Sequence, residues 1–359
     1  MRVAVVGATG AVGSTILGVM RERSFAADEI VPFASERSAG RTIAYGERAA
    51  RASGRSQIGD GDLTVVALSE GAIAGFDLAL FSAGSTISAE WAPKFADAGA
   101  VVVDNSSQWR MHDDVPLVVS EVNPDALDGH RGIVANPNCT TMQTVMALGP
   151  ILQAAGIERV VMSSYQAVSG TGQRAVEELH QQAEAVIEAQ ELPAPTVYPH
   201  QIAFNVLPQV ETFKDGDDYT TEERKCMRET SKILGRDDIG VSATCARVPV
   251  FTGHSVSANV QTRDPLSPDE CRQLLGGAPG VTVIDDPANG LYPTALDAAG
   301  RDDVLVGRIR RDPSHERCLN LWIVGNNLRK GAATNAVQVA ELLAERDLVR
   351  VPEPAGAFA

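Results

Sequence analysis

Hydrophobic residues in the first 135 positions form short, nearly unbroken runs, and amphipathic segments lie between them. The runs occupy residues 2–6, 29–34, 63–67, 78–81, 100–104 and 132–135. Residues 14–23 and 88–98 have the spacing of helices. Apolar strands that alternate with helices are typical of a parallel sheet covered on both faces. The pattern therefore predicts an N-terminal α/β domain with a doubly wound parallel sheet.

The pattern changes after residue 138. Helix-like and strand-like segments occupy residues 140–155, 160–167, 175–189, 243–251, 255–261, 304–310 and 318–325. In the last of these, apolar Leu319 and Leu321 flank polar Asn320, which indicates a strand with one buried face. This half of the chain predicts an α+β domain with a mixed or antiparallel sheet.

The end of the chain returns to a helical pattern. Residues 331–345 carry an apolar face that must be buried, and we expect this helix to pack on the first domain. The predicted division is a first domain at 1–138, completed by about 327–348, and a second domain at 139–326. The proline-bearing end, 349–359, is expected to be disordered.

Composition narrows the functional classes. The 359 residues are 44% hydrophobic and 21% charged, which is ordinary for a globular protein outside the membrane. No apolar stretch approaches the ~18 residues of a membrane span, and no signal-peptide pattern precedes the first strand. A net charge of −15 without a long basic run argues against a nucleic-acid partner. Five scattered cysteines predict reduced thiols in the cytoplasm, and without C-x-x-C spacing they do not predict a metal site.

A glycine-rich turn follows the first strand and opens the first helix. Glycines there let a phosphate approach the backbone, and the helix N-terminus supplies amide donors. This placement favours a Rossmann-type dinucleotide site over a tight turn without a ligand. The predicted contacts are Gly7, Thr9, Gly10, Ala11, Val12 and Gly13.

The end of the second strand bears on which dinucleotide binds. Arg37 and Ser38 lie there and suit a 2′-phosphate, which favours NADP. Glu36 beside them opposes this reading, because a carboxylate that points inward would repel the phosphate.

A single cysteine, Cys139, lies in the polar turn 136–141, directly before a helix-like run that starts at Met142. At a helix N-terminus, unpaired amides and the helix dipole lower a thiol pKa and favour the thiolate. A thiolate attacks carbonyl carbon. The alternative is a capping turn that happens to contain a cysteine.

His254 is the strongest candidate for a proton carrier beside this thiol. Gly253 precedes it, and strand-like residues on both sides would hold the ring rigidly. Arg247 comes seven positions earlier and suits a carboxylate. The alternative for His254 is a structural histidine.

Other polar residues follow predicted strands and helices. Arg110 lies just past a strand of the first sheet, where open α/β sheets bind ligands. Lys225 lies on the polar face of a predicted helix, where a surface ion pair with Glu222 is the simpler interpretation. Gln166 lies at the end of the strand-like run 160–167. The segment that follows, 169–172, either contacts the substrate and nicotinamide or is a flexible loop.

Together these segments resemble bacterial aspartate-semialdehyde dehydrogenases over almost the whole chain. Seven ordered motifs carry the resemblance: G-A-T-G-A-V-G at 7–13, D-N-S-S at 104–107, N-P-N-C-T-T at 136–141, Q-A-V-S-G-T-G at 166–172, E-E-R-K at 222–225, R-V-P-V-F-T-G-H at 247–254 and N-N-L-R-K-G-A-A at 326–333.

The resemblance implies a role for each matching residue. The roles are nucleophile for Cys139, acid/base for His254, substrate orientation for Gln166, carboxylate binding for Arg247, substrate contact for Glu222 and Asn138, phosphate binding for Arg110 and Lys225, and NADP contact for Ser169, Gly170 and Asn327. The last motif departs from the family by one residue, since aspartate-asparagine was expected where Asn326-Asn327 stands.

The implied reaction is reductive dephosphorylation of L-4-aspartyl phosphate to L-aspartate 4-semialdehyde with NADPH, in lysine, threonine and methionine biosynthesis. The resemblance implies no metal and a homodimer, or a dimer of dimers, with the second sheet at the interface. A rival is the N-acetyl-γ-glutamyl-phosphate reductase type, whose N-P-G-C has glycine where Asn138 stands. A further alternative is an NADP-binding redox sensor without catalysis.

Overall fold

The computed structural model describes residues 1–45 and 61–350. Its strands are β1 (Arg2–Val6), β2 (Glu29–Ala34), β3 (Thr42–Ile43), β4 (Leu63–Thr64), β5 (Val66–Ala67), β6 (Leu78–Phe81), β7 (Val101–Asp104), β8 (Ile133–Ala135), β9 (Ile157–Gln166), β10 (Gly240–Arg247), β11 (His254–Thr262), β12 (Val281–Val283), β13 (Val304–Arg311) and β14 (Cys318–Gly325). Its helices are α1 (Ala11–Glu22), α2 (Ser85–Asp97), α3 (Cys139–Ala155), α4 (Gln173–Ile187), α5 (Thr221–Leu234), α6 (Pro268–Gly276) and α7 (Asn335–Glu345).

The described chain forms two compact units. Unit 1 contains residues 1–45, 61–137 and 332–350, and unit 2 contains residues 138–331. Most of the tail expected to be disordered, 351–359, lies outside the described residues.

Unit 1 is built on a six-stranded sheet in the order β5-β2-β1-β6-β7-β8, and every neighbouring pair is parallel. Its strands are almost wholly buried because helices cover both faces. On one face, Ile16 of α1 and Ala336 of α7 belong to the same buried core as Val5 of β1. On the other face, Phe95 of α2 meets Phe33 edge to face. This confirms the predicted doubly wound α/β class.

Unit 2 has a six-stranded mixed sheet in the order β10-β9-β11-β14-β13-β12. The pairs β9–β10 and β12–β13 are parallel, and the three central pairs are antiparallel. Helix α3 is buried along almost its whole length. The mixed sheet confirms the second half of the predicted fold.

Several predicted boundaries differ from the structure by three or four residues, and three of the differences show how an element divides, ends or begins. The run 63–67 divides between β4 and β5, because the amide of Val65 donates to Arg41 O (2.9 Å) and the two strands join different sheets. The predicted strand 243–251 ends at Arg247, two residues before Pro249, which has no amide proton for a strand ladder. The last helix begins at Asn335 instead of Gly331, after a π-helical turn at Arg329–Thr334.

Among the described residues, no helix is both long enough and apolar enough to cross a bilayer. Within the same residues, no group of three or more histidine, cysteine, aspartate or glutamate side chains could hold a metal ion.

Candidate active site

Cys139 is the first residue of α3, three positions earlier than the helix-like run suggested, and its side chain is partly exposed. Asn138 caps this helix: its Oδ1 accepts from the amides of Thr140 (2.9 Å) and Thr141 (3.1 Å). These two amides are therefore paired, contrary to the sequence-based expectation. The dipole of the 17-residue helix favours a thiolate at this position.

The cap is itself held by two buried glutamates of α5. The amide of Asn138 donates to Glu229 Oε2 (2.7 Å), and its side-chain Nδ2 donates to both oxygens of Glu222 (3.0 Å each). Sequence reasoning missed Glu229. The available signal was its spacing, because seven residues are close to two helical turns and place Glu229 on the same face as Glu222.

Gln166, the last residue of β9, joins the same carboxylate. Its Nε2 donates to Glu222 Oε1 (2.9 Å) and to Ser164 Oγ (3.1 Å). Glu222 thus connects the turn before Cys139 with the end of β9, and both predicted substrate contacts, Asn138 and Gln166, bind it.

His254 and Arg247 meet over the end of β9. Their strands, β11 and β10, are not neighbours, because β9 lies between them. Ala167, the residue after β9, bridges the two: its amide donates to His254 Nδ1 (3.0 Å), and its carbonyl accepts from Arg247 Nη1 (2.8 Å). The sequence showed only that Arg247 lies seven positions before His254. The order of the strands in the sheet brings the two side chains together.

The imidazole of His254 is fully buried. Burial lowers the pKa of His254 well below its ordinary value, and the Arg247 guanidinium lowers it further. Because Nδ1 accepts a hydrogen bond from an amide, the neutral ring is assigned its proton on Nε2. In the described part of the chain, His254 Nε2 and Arg247 Nε are buried without a hydrogen-bond partner. Unpaired buried donors are costly, so both atoms suit a polar ligand.

Gly170 lies against both of these groups. A Cβ added there would lie 3.2 Å from His254 Nε2 and 3.2 Å from Arg247 Nη1. Glycine thus leaves space beside the two side chains, which favours a site role over a merely flexible loop.

Asn327 also contacts this loop. Its Nδ2 donates to Ser169 Oγ (2.9 Å), and its Oδ1 accepts from the amide of Gly253 (3.0 Å), the residue before His254. Asn326 instead accepts from the amides of Leu328 and Arg329 (3.1 Å each), a turn contact that an aspartate would make equally well. Asn326 Nδ2 also donates to Ala298 O (3.2 Å), a hydrogen bond that the aspartate of the family motif could not make.

Lys225 forms the ion pair with Glu222 that the sequence suggested, at 3.7 Å. It also pairs with Glu211, 14 positions earlier, which no sequence pattern indicated. The amino group of Lys225 is therefore shared by two carboxylates.

The glycine turn of unit 1 is set by backbone crowding. A Cβ on Gly7 would lie 2.4 Å from Ser82 O, and one on Gly13 would lie 2.1 Å from Gly7 O. Gly7 also has a φ of +83°, which side chains rarely adopt. Thr9, Gly10 and Ala11 are exposed at the start of α1. An exposed helix N-terminus bordered by glycines fits a dinucleotide pyrophosphate.

The remaining candidates of unit 1 follow two of its strands. Arg37 and Ser38 lie in a short 3₁₀ turn after β2, where Arg37 and Glu36 are both exposed. Arg110 is buried, and it donates from Nε to Asn136 O (2.9 Å) and from Nη2 to Asn105 O (2.7 Å). Backbone carbonyls therefore orient its guanidinium.

Comparisons with known proteins agree over nearly the full length. The family model for the semialdehyde dehydrogenase NAD binding domain matches residues 2–130, and that for the dimerisation domain matches residues 148–330. Aspartate-semialdehyde dehydrogenase of Aquifex aeolicus is 52% identical over 97% of this chain and 99% of its own length. The Legionella pneumophila enzyme of that name is 49% identical over 99% of both chains.

A solved structure agrees as well. The crystal structure of aspartate semialdehyde dehydrogenase II from Vibrio cholerae complexed with ASA has a TM-score of 0.87 and 43% identity, and the match covers 96% of this chain and 98% of that one.

Proposed function

The chain belongs to the aspartate-semialdehyde dehydrogenase family, and we propose that it reduces L-4-aspartyl phosphate to L-aspartate 4-semialdehyde with release of phosphate. It is an NADP-dependent, phosphorylating aldehyde dehydrogenase of amino-acid biosynthesis. The observation that carries the proposal is the capped cysteine at the start of α3, in a unit that also holds a buried imidazole and guanidinium with unpaired nitrogens.

Substrate recognition is assigned to the polar groups around Ala167. Arg247 is buried and fixed by one backbone contact, so its remaining donors suit the α-carboxylate of the substrate. Glu222 of α5, which accepts from Gln166 at the end of β9, suits the α-ammonium group of the substrate. Asn138 and Gln166 hold Glu222 and orient the acyl group.

Cys139 is the nucleophile. Its thiolate attacks the acyl carbon, the carbon–oxygen bond to phosphate breaks, and the products are a thioester on Cys139 and free phosphate. We assign phosphate-binding roles to Arg110 in unit 1 and Lys225 in unit 2, because a departing anion is stabilised by fixed cations.

NADPH, when bound, supplies the hydride that reduces the thioester. The residues proposed to hold it are the turn of Gly7, Thr9, Gly10, Ala11, Val12 and Gly13, the pair Arg37 and Ser38, and the group Ser169, Gly170 and Asn327. The preference for NADP over NAD is assigned to Arg37, and replacing Arg37 by alanine should weaken NADP binding while NAD binding stays the same. Equal weakening of both would remove Arg37 from this role.

His254 acts through Nε2–H. Reduction of the thioester places negative charge on its oxygen, and a hydrogen bond from Nε2 stabilises that charge. The carbon–sulfur bond then breaks, which gives the aldehyde and returns the Cys139 thiolate. Because the electron pair goes back to sulfur, the ring can keep its proton, which suits a histidine whose pKa is well below its ordinary value.

The assembly and compartment are also proposals. The match of unit 2 to a dimerisation domain supports a homodimer, and a dimer of dimers is the larger form expected. The five cysteines of the chain are all free thiols, which fits the reducing cytoplasm. The rival reductase type is disfavoured because a glycine at position 138 would lack the side chain that caps α3 and binds Glu222.

The test is an assay of the purified enzyme in reverse, with semialdehyde, phosphate and NADP⁺. Aspartate semialdehyde should be the better substrate, and a preference for N-acetylglutamate semialdehyde would support the rival. Replacing Cys139 by serine should abolish turnover while NADP still binds. Mass spectrometry after mixing with acyl phosphate, without reductant, should find the acyl group on the Cys139 peptide.

A further inference from the structure

The lysine assigned to phosphate is engaged by two carboxylates that differ in how firmly they are held. Glu222 has a side chain only 4% exposed, and amides of Asn138 and Gln166 donate to it. A displacement of Glu222 would disturb the Asn138 cap of α3, the helix that begins at Cys139. Glu222 is therefore a fixed partner of Lys225.

Glu211 is the more replaceable partner. Its side chain is 39% exposed, and it lies in the irregular segment before α5. Its backbone has a φ of +64°, a strained conformation for a residue with a side chain. Besides its ion pair with Lys225, it accepts a hydrogen bond from Thr221 Oγ1 (2.6 Å).

A carboxylate and a phosphate both accept hydrogen bonds from the N–H donors of a lysine. With Glu211 on Lys225, the amino group is neutralised, and a phosphate dianion beside them would be repelled. We propose that Glu211 is an internal competitor of phosphate: it holds Lys225 before the acyl phosphate arrives, gives way while phosphate is bound, and returns as phosphate leaves. This inference rests on the phosphate role proposed for Lys225.

The test is the reverse reaction with phosphate varied at saturating semialdehyde and NADP⁺. Glu211→Gln keeps the length of the side chain and an oxygen for Thr221, and it removes only the charge. We expect KM for phosphate to fall about three-fold, within the range of a half-exposed ion pair, and KM for the semialdehyde to stay the same. An unchanged or raised KM for phosphate would overturn the inference.

Asp217→Asn is the matched control. Asp217 accepts a hydrogen bond from Arg224 of α5, the residue before Lys225 (Nε to Oδ2, 2.8 Å), and Asp217→Asn changes the net charge by the same amount as Glu211→Gln. The KM of Asp217→Asn for phosphate should equal that of the native enzyme. An equal fall in this control would mean that reduced overall repulsion in a chain of charge −15 explains the effect, which would also overturn the inference.

Lys225→Met separates the inference from the role on which it rests. This variant should raise KM for phosphate, and Glu211→Gln should add nothing in its background. If Lys225→Met leaves that KM unchanged, the phosphate assignment of Lys225 fails. If Lys225→Met raises it but Glu211→Gln still acts in the double variant, only the competition fails.

Discussion

The glycine turn of unit 1 and the His254–Arg247 pair of unit 2 are made in different ways. In the turn, backbone segments approach so closely that no side chain fits between them, as between Gly13 and Gly7 O and between Gly7 and Ser82 O. In the pair, buried side chains meet through Ala167, which lies 87 positions from His254. A backbone site of the first kind depends on the absence of side chains. A site of the second kind depends on sheet order and burial, so substitutions in the two regions should have different consequences.

The largest effect is expected in the buried pair. His254→Ala removes the Nε2 donor from the developing negative charge, so kcat should fall by about 10²–10⁴. The dissociation constant of NADP, measured by fluorescence titration, should stay the same because His254 is not among the residues proposed to hold the cofactor. His180→Ala, at an exposed position of α4, is the control and should retain kcat. A loss below ten-fold for His254→Ala would contradict its role.

Substitutions in the glycine turn should instead change the stability of the fold and the binding of NADP. Gly13→Ala places a Cβ against Gly7 O, so the free energy of unfolding should fall by about 1–3 kcal/mol, and KM for NADP should rise. Gly18→Ala on the same helix meets no atom within 4 Å and should be neutral or stabilising by up to about 1 kcal/mol. Urea unfolding and KM for NADP measure both. Equal behaviour of the two variants would refute the steric account.

Arg247→Lys tests how the pair recognises substrate. A lysine supplies a point charge instead of two parallel donors, so KM for the semialdehyde should rise about ten-fold or more. KM for NADP should not change. Arg236→Lys, at an exposed ion pair with Asp238, serves as the comparison and should leave both constants unaltered. If KM is the same in Arg247→Lys and the native enzyme, Arg247 does not bind the carboxylate.

The smallest effect concerns pH. Unfolded, His254 gains a proton near pH 6.5, whereas the folded protein keeps the ring neutral to much lower pH. Because the unfolded state binds more protons, the free energy of unfolding should decrease as pH falls below about 6.5, by up to about 1.4 kcal/mol per pH unit from this ring. His254→Gln should remove that share of the slope in urea unfolding at a series of pH values.

A second buried histidine provides the comparison in unit 1. Burial also lowers the pKa of His130, although the carbonyl of Leu348 works against this. His130→Gln should therefore remove a smaller share of the pH dependence than His254→Gln. If His130→Gln removes a larger share of the pH dependence than His254→Gln, burial does not make His254 the stronger contributor.

Several features of the fold could be predicted because they are local. Unbroken apolar strands identify β1 and β6, and the predicted strand at 318–325 coincides with β14. The errors fall where tertiary contacts or backbone chemistry intervene. The run 63–67 is continuous in the sequence, but Val65 pairs with Arg41, and the strands on its two sides join different sheets.

Candidate residues were predictable by type and spacing, but their partners were not. Nothing in the sequence around Asn138 indicates that Glu229 binds its amide, since the two are 91 positions apart. Likewise, Lys225 and Glu222 were visible as a helical pair, whereas Glu211 lies in an irregular segment without periodicity. Spacing places Glu229 on the same helix face as Glu222, but the partner of each side chain is set only when separate segments pack.

The sequence by itself determined the apolar strands, the glycine turn and the residues able to do the chemistry, because strand periodicity, steric freedom and side-chain type are properties of short segments. Only the tertiary structure decided that β9 lies between the strands of Arg247 and His254, that Ala167 bridges their side chains, and that burial keeps the imidazole neutral. The physical reason is that solvent exclusion and sheet order are set by the packing of distant segments, and both the pKa of a side chain and its neighbours depend on that packing.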